Sequence, residues 1–137
     1  MKRCKTVLLA DSSCEFRWLM WRIAKEDGHF SMMTVGSGRD VLLSVQKRMP
    51  NPLLLDVALP DISGLTVLEK LRRQGRVPKT IFLSSIVSER LVKEALALGA
   101  LYFVPKPFHT RILFDKTHGL LHNCPQHPPL SAVIAAG

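Results

Sequence analysis

The stretch "LLLDVALPDISG", Leu53 to Gly64, sets an acid at the end of an apolar run and follows it with turn formers. Three successive leucines read as a strand buried on both faces, the pattern of a parallel sheet. A carboxylate closing such a strand falls at the carboxyl edge of the sheet, where ligands bind in open α/β folds. Three roles are open to Asp56 at that place: nucleophile, metal ligand or turn-forming cap.

Outward from this stretch, apolar runs alternate with amphipathic ones. "TVLLAD" reads as a strand; then Phe16, Leu19, Met20, Ile23 and Ala24 recur at helical spacing until Gly28. "FSMMTV" is a second strand, and a helix from about Arg39 to Arg48 ends before Pro50, since a residue preceding proline avoids helical geometry. After "PLLLD" come a helix from about Leu65 to Arg73, the strand "KTIFLSS", a helix from Ser88 to Leu98, the strand "LYFVP", and an amphipathic segment from Phe108 to about Leu121. The expected fold is therefore α/β: a doubly wound, five-stranded parallel sheet of flavodoxin type, order 2-1-3-4-5, with helices on both faces and right-handed crossovers. Pro105 is compatible with the fifth strand only if that strand is an edge, because proline gives the ladder no donor. Residues 1–122 form the predicted domain. The pattern breaks beyond it, so 123–137 reads as a linker or tail.

A chain of 137 residues that is 47% hydrophobic has the material for one ordinary core. No apolar run reaches membrane-spanning length and no secretory leader opens the chain, so the expected location is cytoplasmic, with no membrane partner. Three cysteines at unrelated spacings, Cys4, Cys14 and Cys124, suit reduced thiols. The formal charge of +8 is spread over several segments rather than gathered into one patch, which argues for solvated helix faces over direct nucleic-acid contact. His118, His122, Cys124 and His127 could ligate zinc, but no second ligand pair at a finger spacing accompanies them.

In the expected sheet, Asp11 ends the first strand, Asp56 the third and Ser84 the fourth, and Lys106 follows the fifth. Two carboxylates, a hydroxyl and an ammonium then share one rim. Mg²⁺ takes carboxylate oxygens and waters, and a phosphoryl group takes a cation and hydroxyl donors. The constellation suits an anionic ligand.

These residues resemble those of the response-regulator receiver domains of bacterial two-component signalling, over roughly residues 5 to 121. The resemblance rests on the acid ending the first strand, on "LLLDVALPDISG", on the hydroxyl in "FLSS" and on "KPF" after the fifth strand. "LLADSSCEF", "GLTVLEKLR" and "ALGALYFVPKPF" are similar in particular to the receiver of the master sporulation transcription factor of endospore-forming bacteria. The resemblance implies that Asp56 accepts a phosphoryl group from a phosphohistidine on a histidine kinase or histidine phosphotransferase. It implies Mg²⁺ at Asp11, Asp56 and the backbone carbonyl of Ala58. Lys106 would pair with acceptor and phosphate, Ser84 would be drawn to the phosphoryl oxygens, and Phe103 would stand at the aromatic switch position. Tyr102 should face the opposite side of the sheet, and Lys106-Pro107 resembles the family's cis bond. The product would be a signalling switch rather than an enzyme, relayed to homodimerisation or to an output domain, with DNA reached only through an output domain that this chain lacks.

The main departure from the family pattern is Ser12, where a second acid usually stands; it predicts weakened Mg²⁺ binding. Ser12-Ser13-Cys14-Glu15 reads instead as a capping box, with Ser12 as the cap of the first helix and Glu15 closing it. Ser85 replaces the usual alanine and narrows the approach to Asp56. Two alternatives follow: a degenerate receiver acting as a phosphorylation-independent interaction module, and a small phosphatase with Asp56 as nucleophile. The phosphatase needs a second acid two residues on, where Ala58 stands.

Overall fold

The computed structural model describes residues 5–106 and 110–122. Five strands, β1 (Thr6–Ala10), β2 (Ser31–Val35), β3 (Leu53–Asp56), β4 (Thr80–Ser84) and β5 (Tyr102–Pro105), form one sheet of order β2-β1-β3-β4-β5, all pairs parallel. They alternate with α1 (Cys14–Asp27), α2 (Gly38–Lys47), α3 (Gly64–Arg73), α4 (Glu89–Ala97) and α5 (Thr110–His122). The expected order is the observed one, and β5, with Pro105, is an edge strand.

Side-chain alternation along the strands divides the core in two. Leu53 and Leu55 join Leu8, Phe82 and Phe103 in a cluster closed by Val41 and Val45 of α2, Val67, Leu68 and Leu71 of α3, and Val92 and Ala95 of α4. Leu54 points the other way, into a cluster with Val7, Leu9, Ile81 and Val104 under Met20 and Ala24 of α1 and Leu113 and Leu120 of α5. All three leucines of the opening stretch are 0% exposed, as a central strand covered on both faces requires. Tyr102 falls on the α5 side and Phe103 on the α4 side, as the alternation predicts.

Serine begins α1 to α4. The hydroxyls of Ser13, Ser37, Ser63 and Ser88 accept the backbone N–H of Phe16, Asp40, Leu65 and Leu91 respectively, each at 3.1 Å. Each bond satisfies an N–H that the helix leaves unpaired. This corrects the expected capping box: Ser13, not Ser12, caps α1. The reason lies upstream, because Oδ1 of Asp11 accepts the Ser13 N–H at 2.9 Å and carries the turn one residue further before helix begins. With the cap shifted, Glu15 lies in the first turn and Phe16 takes the position three after the cap. Gly28 ends α1 in the left-handed conformation, φ 76°, its N–H bonded to the carbonyl of Ala24.

Two long-range contacts seat the helices above the rim. Asp61, in the loop after β3, accepts the N–H groups of Gly38 and Arg39 at 2.8 and 2.9 Å, so the first turn of α2 is held by another loop as well as by its own serine. Gly64 opens α3 so close to β3 that a Cβ there would lie 2.3 Å from the backbone oxygen of Asp56.

Candidate functional site

The carboxyl ends of β1, β3 and β5 bring Asp11, Asp56 and Lys106 together. Both carboxylates are buried, 1% and 5% exposed, and each is held twice. Oδ1 of Asp11 accepts the Ser13 N–H, and Oδ1 of Asp56 accepts the Ala58 N–H at 3.0 Å, two residues on in each case. The Oδ2 atoms of both acids converge on Nζ of Lys106, which lies 2.9 Å from that of Asp56 and in direct contact with that of Asp11. The lysine reaches them across the end of β4, with its ammonium 5.1 Å from the centre of the Phe16 ring. The sequence reading had no role for Phe16 here. It also missed Arg17, whose Nη1 donates to the backbone oxygen of Asp11 at 2.6 Å.

One ammonium cannot fully serve two buried carboxylates. Burial pushes the Asp56 carboxyl above the usual aspartate range, and the Asp11 charge adds to the shift. The bonds from Lys106 and Ala58 oppose it without cancelling it. For Lys106, burial works against the charge, but the hydrogen bonds and charges of both aspartates outweigh it and raise its pKa. The cluster therefore carries a surplus negative charge lined by hard oxygen donors. That donor set fits a small divalent cation such as Mg²⁺, which the carboxylates of Asp11 and Asp56 could hold. Ser12 is exposed beside Asp11 and offers a hydroxyl in place of a third carboxylate.

Ser84 is buried at the end of β4, but its hydroxyl is turned to its own loop: it donates to the Ile86 carbonyl at 2.8 Å and accepts the Ile86 N–H at 3.0 Å. Ser85 is exposed and, with Val57, Ala58, Ser84 and Leu91, lines an open cleft between the loops after β3 and β4. Phe103 is fully buried in the core under α4. The Lys106-Pro107 bond lies outside the described residues. So do Cys124 and His127 and the side chain of His122, while His118, on α5, faces Asp27 across 3.3 Å. Among the described residues no helix is long and apolar enough to cross a membrane.

The response regulator receiver domain family matches residues 7–118. A protein-glutamate methylesterase/protein-glutamine glutaminase of Methanospirillum hungatei is 35% identical over 104 residues, which are 74% of this chain and 30% of that protein. The chain thus spans less than a third of that relative's length, and the activity in its name belongs to the longer protein. A signal receiver domain from Vibrio parahaemolyticus superposes with a TM-score of 0.82 at 26% identity, over 87% of this chain and 91% of that one. The chemotaxis protein CheY4 of Vibrio cholerae superposes with a TM-score of 0.79 at 23% identity, over 86% and 99%, a likeness of fold.

Proposed function

The chain belongs to the response regulator receiver domain family, and from that premise we propose that it is a phosphorylation-dependent switch with Asp56 as its acceptor. The observation that supports this most is the convergence of Asp11 and Asp56 on the single ammonium of Lys106 at the carboxyl rim. In the proposed step, a carboxylate oxygen of Asp56 attacks the phosphorus of a phosphohistidine. The P–N bond breaks, and its electron pair stays on the imidazole nitrogen of the kinase or phosphotransferase. Lys106 holds the Asp56 oxygen in place beforehand and meets the phosphoryl charge afterwards. Asp11, Asp56 and the Ala58 carbonyl would hold Mg²⁺, which would supply positive charge to offset that of the phosphoryl group. Ser84 answers phosphorylation by giving up its bond to the Ile86 carbonyl and donating to a phosphoryl oxygen. Phe103 and the surface from about Ile86 to α5 carry the change to a homodimer or to a DNA-binding output domain, in a cytoplasmic pathway. A place in sporulation control rests on the sequence wording around Asp11, α3 and β5 alone.

Intact mass after incubation with a small phosphoryl donor and Mg²⁺ tests the proposal. The native chain should gain one phosphoryl group and Asp56→Asn none. The degenerate-receiver alternative draws on Ser12 and on the self-bonded hydroxyl of Ser84; a native chain that stays unmodified at saturating Mg²⁺ would establish it in place of the switch.

A further inference from the structure

The carboxyl rim does not account for a second cluster of ligating side chains, placed at the opposite end of the sheet. Asp27 is the last residue of α1, His29 follows the Gly28 turn just before β2, and His118 lies in the second half of α5. Helices that start at the carboxyl rim finish at the amino ends of the strands, so all three residues gather far from Asp56. Oδ2 of Asp27 is 3.0 Å from Nδ1 of His29 and 3.3 Å from Nε2 of His118, and all three ligand atoms lie within 4.8 Å of one another.

We propose that Asp27, His29 and His118 form a binding site for a transition-metal dication of zinc type, separate from the oxygen-lined pocket around Asp56. The first support is spacing. With metal–ligand bonds of about 2.0–2.2 Å, two donors of a tetrahedral zinc site stand about 3.3–3.5 Å apart. The Asp27–His29 and Asp27–His118 separations of 3.0 and 3.3 Å lie at that length or inside it, and with all three ligand atoms within 4.8 Å of one another side-chain rotation can close them round one ion. The second is chemistry: two imidazoles and one carboxylate are a donor set that suits zinc and its neighbours, whereas the oxygen-only rim suits Mg²⁺. The third is support around the ligands. The His118 ring packs 5.4 Å from the ring of Phe30, which is 4% exposed and stacks on Phe114 at 5.7 Å, so one imidazole is positioned by the core. The left-handed turn at Gly28 brings His29 back beside Asp27. The carboxylate stands at the carbonyl end of α1, where the helix favours positive charge. His29 remains on the surface, which leaves the fourth position to water.

A bound ion would replace the proton-mediated His–Asp–His contacts and tie α1, the turn before β2 and α5 to one centre. The test is titration of the full chain with Zn²⁺ against a chromophoric chelator, in excess Mg²⁺ so that the oxygen pocket is already engaged. The expected result is one zinc site that weakens by about tenfold or more in each of Asp27→Ala, His29→Ala and His118→Ala. It should be unchanged when His122, Cys124 and His127 are replaced together. Co²⁺ should give the visible absorption of a four-coordinate ion in the native chain and lose it in His29→Ala, whose exposed side chain can be removed without disturbing the core. Absence of zinc binding, a loss confined to the tail replacement, or equal affinity in the native chain and the three single variants would each overturn the proposal.

Discussion

The ammonium of Lys106 lies 2.9 Å from Oδ2 of Asp56 and simultaneously contacts Oδ2 of Asp11, so one cation just past the edge strand joins the ends of β1 and β3. The pairing is incomplete by charge, which makes Lys106 a structural counter-ion as well as a candidate phosphate partner.

Lys106→Ala should therefore destabilise the fold at neutral pH. Removing one partner of a buried ion pair costs about 3–5 kcal/mol, and partial exposure of Lys106 should bring the loss to about 2–3 kcal/mol. The sign with pH follows from linkage. The Asp56 carboxyl already has a raised folded-state pKa, and loss of the ammonium raises it further. A raised carboxyl binds more protons folded than unfolded, so the variant loses stability as pH rises above the ordinary aspartate range and recovers some of it on acidification. Urea denaturation across that range checks both. Equal stability at neutral pH would remove Lys106 from this role.

Ser12 and Ser13 should separate cleanly. Ser13→Ala removes the cap of α1 and should cost about 1 kcal/mol, while Ser12→Ala should be close to neutral. Ser12→Asp leaves the cap in place and adds a carboxylate beside Asp11. At about 4 Å and an effective dielectric of 20, a unit charge interacts with a divalent ion by several kcal/mol. Repulsion from Asp11 and Asp56 and the reluctance of Mg²⁺ to shed water leave a net gain of about 1–2 kcal/mol, roughly tenfold in Kd. Calorimetry measures this, with exposed Trp18 and Trp21 as optical alternatives. An unchanged Kd would mean that position 12 does not face the ion.

Gly64→Ala should be among the more damaging single changes. Its Cβ would meet the backbone oxygen of Asp56 at 2.3 Å, and backbone cannot rotate away as a side chain can. Overpacking of this kind costs about 1–3 kcal/mol, and here α3 must also lift from β3. The chemical shifts of Asp56 and Ala58 should move with the loss of stability; a variant as stable as the native chain would show that α3 can shift freely.

Asp61 should titrate far below a free aspartate. The N–H groups of Arg39 and Gly38 hold its carboxyl down to about 2. Its depressed folded value means that its stabilising contribution is complete above the unfolded value of 3.8 and is lost as pH falls through about 2. Side-chain carboxyl NMR reads this directly. Asp61→Asn, which keeps the shape without the charge, should remove the acid-side slope, and an Asp61 that titrates near 3.8 would contradict the double cap.

The alternation of strands and helices, the buried central leucines, the edge position of β5 and the arrival of Asp11, Asp56, Ser84 and Lys106 at one rim were legible in the sequence. Each follows from local geometry: a period of two in strands, 3.6 in helices, and the rule that parallel strands carry their ends to the same side. What tertiary structure alone decided are choices between partners of nearly equal chemical merit. Either serine after Asp11 could cap α1, and the Asp11 carboxylate selected Ser13 by holding its N–H. The Ser84 hydroxyl could face the acids or its own loop, and Ile86 satisfies it twice. Asp61 bonds to residues 23 and 22 positions earlier, and His118 meets Asp27 from the far end of the domain. No periodicity encodes such meetings, because they depend on how closely two packed helices approach a third element, and that distance is set by the whole core rather than by any segment of it.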